Sequence, residues 1–427
     1  MLRNQSIHTR SGRPAPDEKR TEEKEPGTQT ARGLRCYWPR TAMDEFENAI
    51  TFDNLYEGLQ KAKRTVMWKD SVAGYSLDGL KNTVALRESL RRGDYEISPY
   101  QRFTIYEPKI REIVATRIRD RQFQRSLCDN ILYKDMTRGF IFDNCACQRG
   151  KGVDFALNRM EEHLRRYFRE TGSADGWVLK CDIRHYFPET LHDVAKAAVR
   201  KRVKDDRAYQ AAADIIDSFG GEKGIGLGSQ VSQLIELAVL DDLDHFIKER
   251  LRIKHYIRYM DDFILICKDR ATLENALREI RARVEALGLE LNEKTQIAPL
   301  RHGVRFLKWR FILTDTGKVI RRMSSRSITK ERRKLKKIAE KVKAGAMPRE
   351  YMWESFQSWR ANAERGNTHF AVRNMAKLYR KLEEEIEHGR NQNTRGDQDG
   401  PRNGQGGGSG GTVREAGGAA GAEAGAD

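Results

Sequence analysis

One short polar break between two apolar runs constrains this chain more than any other feature. The runs are 255–259 (His-Tyr-Ile-Arg-Tyr) and 263–267 (Phe-Ile-Leu-Ile-Cys), and the break is Tyr259-Met-Asp-Asp262. β-Branched and aromatic residues on both sides of so short a break predict a β-hairpin. The tip of this hairpin carries Asp261 and Asp262 side by side. Because adjacent carboxylates repel each other, a tip that keeps both ionised favours a nearby cation.

A third carboxylate, Asp182, ends a separate strand-like run over 177–182 (Trp-Val-Leu-Lys-Cys-Asp). Three acids at strand ends in a basic chain predict a Mg²⁺ site for phosphoryl transfer on a nucleic acid. Two Mg²⁺ ions about 3.5–4 Å apart can activate a 3′-hydroxyl and stabilise a leaving pyrophosphate. Asp182 and Asp261 would bridge the ions, and Asp262 would support one of them. The simpler alternative, in which the acids only cap a turn, leaves Asp182 unexplained.

The balance of charge indicates a polyanionic partner. The chain has 427 residues, with 79 Lys and Arg against 62 Asp and Glu and a net charge of +17. Such an excess fits a nucleic acid more often than a membrane surface. No apolar run approaches the roughly 18 residues of a membrane helix, and the N-terminus has no signal-peptide-like stretch. Six scattered cysteines without metal-ligand spacing predict reduced packing thiols in a cytoplasmic protein.

Composition divides the chain into a core and two polar ends. Residues 1–43 are polar and lack periodicity, which predicts disorder. One hypothesis places the true start at Met43, and mass spectrometry of the native N-terminus would test it. Residues 389–427 are rich in Gly, Asn and Asp and are expected to form a flexible tail. Over 177–313 a strand, helices, a hairpin, a helix and a strand follow one another, which predicts an α+β fold with an antiparallel sheet backed by helices.

Apolar spacing and turn residues predict the individual elements. A hairpin is expected over 100–114, and another turns at Asp315-Thr-Gly317. Helices are expected over 52–71, 77–92, 117–132, 191–203, 207–219, 231–246 and 271–287, with basic helices from residue 327 to about 388.

The order of these motifs resembles that of the reverse transcriptases over about residues 50–380. Asp182-Ile-Arg-His-Tyr-Phe187 is similar to the first palm motif of that family, and the Asp261-Asp262 hairpin is similar to its catalytic turn. The resemblance implies an RNA-directed DNA polymerase that uses two Mg²⁺ ions, or Mn²⁺, held by the three aspartates. It also implies a right-hand polymerase, with fingers over 44–175, a ferredoxin-like antiparallel palm over 176–313 and a basic helical thumb over 314–388.

The same resemblance assigns residues that bind the incoming dNTP. Phe187 takes the place of the aromatic sugar gate, whose flat ring would clash with a 2′-hydroxyl. Lys109 and Arg111 match the basic pair that grips the triphosphate, and Tyr259 belongs to the same set. Lys294 matches a lysine that approaches the leaving pyrophosphate, which makes it a candidate general acid. A core phenylalanine, solvated charges and a surface lysine are the simpler alternatives.

The segment Leu227-Gly-Ser-Gln-Val-Ser-Gln233 resembles the second palm motif but departs from its usual form. Leu227 stands where Gln is common, and Gln233 stands where Pro is common. This variant is typical of reverse transcriptases of diversity-generating retroelements, which copy a template-repeat RNA with errors at adenines. An aliphatic Leu227 makes no hydrogen bond near the nascent pair, which would loosen geometric selection, and Gly228 permits a close backbone approach. Drift within another bacterial lineage is the alternative.

Two further segments resemble parts of the family that hold the primer and the duplex. The strand Val304-Arg-Phe-Leu-Lys-Trp309 is similar to the primer grip, although the family usually has Gly where Lys308 stands. Cationic helices from residue 327 resemble a thumb that would contact duplex phosphates without reading sequence. Trp353, Phe356 and Trp359 recur at helical spacing and are interpreted as thumb core rather than as stacking platforms.

The leading hypothesis is a bacterial or phage-encoded RNA-directed DNA polymerase of the diversity-generating type. It would extend a DNA or RNA primer on an RNA template with dNTPs, and a small basic accessory protein is a further expected partner. Group II intron-like and phage-defence reverse transcriptases are the enzymatic alternatives. No zinc-type endonuclease cysteines follow the thumb, which argues against a complete mobile-intron protein. A catalytically inactive RNA-binding module is the third hypothesis, and the three intact aspartates argue against it.

Overall fold

A computed structural model describes residues 44–106 and 110–396, with side chains up to His388. The predictions for residues 1–43, for Lys109 and for the tail beyond 396 lie outside these ranges. The helices in the described part are α1 Glu45–Ala49, α2 Phe52–Ala62, α3 Asp70–Leu77, α4 Gly79–Arg92, α5 Ile118–Leu127, α6 Tyr133–Thr137, α7 Val153–Thr171, α8 Tyr186–Glu189, α9 His192–Arg202, α10 Asp206–Asp217, α11 Gln230–Val239, α12 Asp241–His245, α13 Arg270–Ala286, α14 Ser325–Lys343, α15 Arg349–Ala363 and α16 His369–Gly396.

Three antiparallel sheets hold the described strands, in the orders β1-β2, β4-β5-β3-β6 and β7-β8-β9. None of the helices in residues 44–106 and 110–396 combines the length and hydropathy needed to cross a bilayer. The strands are β1 Gln101–Ile105, β2 Arg111–Ala115, β3 Trp177–Asp182, β4 His255–Tyr259, β5 Asp262–Cys267, β6 Gln296–Pro299, β7 Val304–Phe306, β8 Trp309–Leu313 and β9 Val319–Met323.

The central sheet confirms the predicted ferredoxin-like palm. Its elements follow the order strand, helices, hairpin, helix, strand, and β3 and β5 occupy the two inner positions. Strand β5 is apolar and buried from Phe263 to Ile266, as expected where both faces of a strand are covered. Phe263 and Leu265 pack into the cluster formed with the helices, whereas Ile264 and Ile266 pack into the cluster shared with α7 and the β7-β8-β9 sheet. The predicted α+β class is therefore confirmed.

Several element boundaries differ from those expected. The helix predicted over 52–71 ends at Ala62 and resumes at Asp70, with Thr65 between them in the left-handed region at φ +66°. The helix predicted over 117–132 continues beyond Leu127 as a widened turn and then as α6. Helix α7 was not predicted. Strand β9 pairs with β8 across the predicted turn at Asp315-Thr-Gly317, and α16 continues beyond 388, where the basic helices were expected to end.

Helices α14, α15 and α16 share a hydrophobic core of their own, as predicted for a thumb. Phe356 and Trp359 are buried in it, in agreement with their interpretation as core residues. Trp353 differs from that interpretation, because 49% of its surface is exposed and it packs only at the edge, 5.5 Å from the ring of Tyr379. The turn before α16 packs on the β7-β8-β9 sheet: a Cβ on Gly366 would lie 2.3 Å from the ring of Trp309.

Candidate active site

The predicted acidic hairpin is present, and its turn is as tight as a two-residue connection allows. Strands β4 and β5 pair antiparallel, with Tyr259 opposite Asp262, so that Met260 and Asp261 form the loop. Met260 has a left-handed backbone at φ +56°. Such a conformation is uncommon for a residue with a side chain. Two-residue hairpin loops require it because it matches the twist of the strands. Asp261 is therefore the second loop residue, and Asp262 is the first residue of β5.

Strand β3 brings the third predicted carboxylate to the same turn. Asp182 lies opposite Asp262 in the β3–β5 register, and the amide of Ile183 donates to the carbonyl of Asp261 at 3.3 Å. Directly opposed residues of an antiparallel pair project from the same face of the sheet. Asp182, Asp261 and Asp262 are each partly exposed. The structure therefore brings together all three acids that the sequence pattern selected.

Lys180, which was not predicted as a site residue, forms an ion pair with Asp262. Lys180, two residues before Asp182 on β3, donates to Asp262 Oδ2 at 3.0 Å and to the carbonyl of Arg305 in β7 at 3.1 Å. Burial raises the pKa of Asp262 to about 6, although Lys180 acts in the opposite direction. The other carboxylate oxygen, Oδ1, is buried and meets no hydrogen-bond donor among the described residues.

The donor set fits a hard divalent cation. Mg²⁺ takes carboxylate oxygens, usually one or two per ion, and completes its shell with substrate phosphates and water. Asp182 lies opposite Asp262, Asp261 lies in the adjoining turn, and Oδ1 of Asp262 has no hydrogen-bond partner among the described residues, so this group offers oxygens of this kind. Within residues 44–106 and 110–396, no three His, Cys, Asp or Glu side chains converge into a group that could hold a metal by themselves.

The candidate sugar gate lies against the glycine loop that precedes α11. Phe187 is half-buried in α8, edge-on to Tyr186 with 5.9 Å between ring centres. Its carbonyl accepts from the amide of Ile225 at 2.8 Å, and the carbonyl of Thr190 accepts from Gly224 at 2.9 Å. These bonds join the segment after Asp182 to the glycine loop that leads into the second palm motif. A side chain of Gly226 would meet the ring of Phe219, which explains a glycine there.

The second palm motif also contacts the fingers hairpin. The amide of Val114 in β2 donates to the carbonyl of Leu227 at 3.3 Å. Gly228 follows with φ +129°, which favours glycine, and its Cα faces the carbonyl of Val114. Leu227 is half-buried, and Gln233 is half-buried in the first turns of α11. Arg111 begins β2 and is exposed, and its predicted companion Lys109 lies outside the described residues.

Lys294 lies in a loop that is tied directly to the carboxylate strand. The amide of Asn292 donates to the carbonyl of Asp182 at 2.7 Å, and the Asn292 side chain accepts from the amide of Lys294 at 3.0 Å. The Lys294 side chain is exposed. The loop thus holds an exposed lysine two residues from a backbone contact with Asp182.

The segment that resembles the primer grip is not one strand but two, β7 and β8, joined by a two-residue turn that lacks the usual glycine. Strands β7 and β8 pair with Phe306 opposite Trp309, and both loop residues, Leu307 and Lys308, have left-handed backbones at φ +48° and +71°. Lys308 therefore adopts a conformation that glycine takes at no steric cost. Phe306 is buried and Leu307 is half-buried against the same cluster, so both also serve as core residues.

Three residues near the turn, two of them buried, were not predicted as part of the site. Lys180 had a signal, because strand alternation places it on the same face as Asp182. Arg258 interrupts the apolar run of β4, and Glu236 is the only acid in α11, so each had a weak signal. Arg258 is fully buried. Burial raises the pKa of Glu236 to about 8.

Known proteins resemble this chain to different degrees. Protein YkfC of Escherichia coli (strain K12) is 25% identical over 319 residues, covering 60% of this chain and 80% of YkfC. A telomerase structure from Candida albicans, in complex with a fragment of telomeric RNA, has a TM-score of 0.43 at 10% identity and covers 68% of this chain. Apo telomerase from Candida tropicalis has a TM-score of 0.39 at 11% identity and covers 52%. The chain spans about half the length of these telomerase chains, 55% and 47% respectively.

A family model gives the decisive comparison. The model described as "Reverse transcriptase (RNA-dependent DNA polymerase)" matches residues 109–328, which is more than half of the chain. That stretch contains β3, the acidic hairpin and the glycine loop described above. The chain belongs to the reverse transcriptase family of RNA-dependent DNA polymerases.

Proposed function

We propose that this protein synthesises cDNA on an RNA template by metal-assisted nucleotidyl transfer at Asp182, Asp261 and Asp262. The observation that carries the proposal is the register of β3 against β5, which sets Asp182 opposite Asp262 beside the Asp261 turn. Divalent ions at such carboxylates supply charge that activates a primer 3′-hydroxyl and stabilises the departing pyrophosphate. Asp182 and Asp261 would bind the ions directly, and Asp262, paired with Lys180, would act as their support.

The other residues have distinct parts in this proposal. Phe187 would exclude ribonucleotides, because its ring packs edge-on against Tyr186 and its backbone carbonyl is bonded to the amide of Ile225. Arg111, with Lys109, would hold the triphosphate, and Tyr259 and Gly228 would border the nascent pair. Lys294 would donate a proton to the leaving pyrophosphate, because its loop is bonded to the Asp182 carbonyl and its ammonium is exposed.

The more specific proposal is a diversity-generating retroelement enzyme. Its support is the Leu227–Gln233 variant of the second palm motif, since Leu227 is half-buried where the loop meets the fingers strand β2. An aliphatic side chain there offers the template base no hydrogen bond, so mispairs would be rejected less strongly. The partners would be an RNA template, a DNA or RNA primer, dNTPs and a small basic accessory protein. Group II intron-like and phage-defence enzymes are the alternatives within the family.

The test is sequencing of cDNA made by the purified protein on a primed RNA with Mg²⁺, beside the Asp261→Ala variant. The variant is expected to make no product and to bind RNA almost as the wild type does, because phosphate contacts dominate affinity. Errors concentrated at template adenines would support the diversity-generating assignment, whereas accurate cDNA would favour an intron-like or defence role. Equal synthesis by the variant would refute the assigned site. RNA binding without synthesis by the wild type, with the accessory protein present, would favour the binding-module alternative.

A further inference from the structure

The most extensively bonded side chain next to the acidic turn is Arg258, in β4. Its guanidinium is fully buried and forms a fork with Asp244 of α12, with Nε 2.7 Å from Oδ1 and Nη2 2.6 Å from Oδ2. The hydroxyl of Tyr256 donates to the same Oδ1 at 2.5 Å. A paired fork of this kind fixes both the distance and the plane of the guanidinium. Asp244 therefore determines where the remaining N–H groups of Arg258 point.

Those remaining N–H groups reach the turn that carries Asp261. Nη1 of Arg258 donates to the carbonyl of Met260 at 3.0 Å, and Nη2 also donates to the carbonyl of Leu237 in α11 at 3.0 Å. Met260 is the residue of the turn with the left-handed backbone. One side chain thus connects α12, α11 and the peptide immediately before Asp261.

Helix α11 is held from a second direction at the adjacent peptide. The hydroxyl of Tyr186 donates to the carbonyl of Glu236 at 2.5 Å, and the hydroxyl of Thr190 donates to the Glu236 carboxylate at 3.1 Å. Both donors flank the candidate gate Phe187 in sequence. Two consecutive carbonyls of α11, those of Glu236 and Leu237, therefore accept from the gate segment and from Arg258. The same helix begins directly after Gly228 and Ser229 of the second palm motif.

We propose that Arg258 is a positioning residue that fixes the Met260-Asp261 peptide against α11, so that the metal-binding turn and the nucleotide gate keep one relative geometry. The inference rests on the proposed function, because it assigns Asp261 to metal binding. Arg258 touches no reacting atom and acts through the Met260 carbonyl. A displaced turn would keep its carboxylates but present them to the metal and the primer at the wrong place.

A purely structural role is the competing explanation, since a buried charge pair matters to folding in any location. Removing only Arg258 would leave Asp244 buried and unpaired, which destabilises a protein whatever the arginine positions. The variant that separates the two explanations removes the whole network: Tyr256→Phe, Asp244→Leu and Arg258→Met together. Replacing a buried pair by apolar residues of similar volume is often neutral for stability, whereas the donor to Met260 is lost.

The matched control removes another Arg–Asp pair that involves α12. Arg202 pairs with Asp241, whose side chain is 4% exposed, and neither residue is bonded to the turn. The control is Arg202→Met with Asp241→Leu. A second test variant, Arg258→Lys, keeps a charge beside Asp244 but lacks the planar fork that serves three acceptors at once. It remains informative if the triple variant does not fold.

The experiment measures primer extension at saturating substrate, the Mg²⁺ concentration for half-maximal rate, and the shift in melting temperature caused by Mg²⁺ alone. The triple and Arg258→Lys variants are expected to lose about 10- to 100-fold in kcat. Their half-maximal Mg²⁺ concentration should rise and their Mg²⁺-induced melting shift should shrink, while the control keeps wild-type values. Folded variants with wild-type kcat and Mg²⁺ response would overturn the inference but leave the polymerase assignment intact. A wild type without synthesis or Mg²⁺ response would overturn both.

Discussion

The ammonium group of Lys180 lies 3.0 Å from Oδ2 of Asp262 and also donates to the carbonyl of Arg305 at 3.1 Å. One side chain therefore connects the carboxylate hairpin of the palm with the strand that resembles the primer grip. Strand alternation places Lys180 on the face of Asp182, so its charge also lies next to the acids that would bind metal. The pair is mostly buried, with side-chain exposures of 31% and 21%.

Replacing Lys180 with Met should destabilise the protein at neutral pH. Asp262 would then be desolvated without a cation, and truncating one member of a buried pair costs more than breaking a surface pair. Because both groups keep some solvent contact, we expect a loss of about 1–2 kcal/mol. Urea unfolding would measure it. Lys196→Met is the control, since its partner Asp217 is 53% exposed. Equal losses for the two variants would contradict the role given to Lys180.

The parts of this site that the sequence predicted are those encoded by local patterns. The acidic hairpin and the strand of Asp182 follow from apolar runs interrupted at one place, and the helix predicted over 77–92 ends at Arg92, where Gly93 follows with a left-handed backbone. The contact of Lys180 with Arg305 spans 125 positions, and no local pattern specifies such a contact. The break between α2 and α3 depends on the left-handed Thr65, which propensity does not predict. Helix α7 was readable from its apolar spacing and was missed.

Replacing Phe187 with Ala should admit ribonucleotides. The ring packs edge-on against Tyr186, the backbone of Phe187 is bonded to Ile225, and removal of the ring would leave space for a 2′-hydroxyl. The ring would reject a ribonucleotide by clashing with its 2′-hydroxyl, and alanine lacks the atoms that clash. We therefore expect discrimination between dNTP and rNTP to fall by about 10- to 100-fold. Single-nucleotide extension would give kcat/KM for both substrates.

Phe187→Tyr is the control for this change, because it keeps a ring in the same place. It should retain discrimination close to that of the wild type. If the Ala variant still rejects ribonucleotides as strongly as the wild type does, Phe187 is a core residue and the gate lies elsewhere.

Replacing Lys308 with Gly should stabilise the hairpin of β7 and β8. Lys308 has φ +71° in a loop whose two residues are both left-handed. The left-handed backbone costs a residue with a Cβ roughly 1–2 kcal/mol. Glycine avoids this cost, but its larger conformational entropy in the unfolded state offsets part of the gain. We expect a net gain of about 0.5–1 kcal/mol in the free energy of unfolding. Lys330→Gly, inside α14, should instead lose about 1 kcal/mol. A loss at position 308 would show that the lysine side chain itself stabilises the turn.

The buried His255 should make the protein sensitive to mild acid. Burial, together with the charge of the nearby His163, lowers its pKa from 6.5 to about 4. Its neutral form is favoured in the folded state, so this contribution to stability is complete above pH 6.5 and is lost as the pH falls from 6.5 towards 4. The loss should amount to about 2–3 kcal/mol.

His255→Phe should flatten this pH dependence, because a ring can still pack against Tyr167 without accepting a proton. The midpoint of urea unfolding between pH 4 and pH 7.5 would measure the slope for both proteins. His369→Phe, at an exposed helix start, is the control and should leave the slope unchanged. An identical slope for wild type and His255→Phe would assign the acid sensitivity to other groups.

A stripe of basic side chains along α14 should contribute a salt-dependent part of nucleic-acid binding. Lys330, Arg333, Lys337 and Lys341 recur at three- and four-residue intervals, are all exposed, and lie opposite the buried Leu335 and Val342. Each phosphate contact releases counterions, so the logarithm of affinity falls with the logarithm of salt concentration by about 0.7–0.9 per contact. The triple change Lys330→Gln, Arg333→Gln and Lys337→Gln should reduce that slope by about 2–3 on an RNA–DNA duplex.

The effect should not depend on the sequence of the duplex, because phosphate contacts carry no base information. The comparison that isolates the stripe from net charge is Arg278→Gln with Arg281→Gln, which removes exposed basic residues from α13 instead. Binding titrations at several salt concentrations would measure both slopes. If the two variants lowered the slope in proportion to the charges removed, only the net charge of the protein would matter. A change confined to the α14 variant would place the duplex against the thumb.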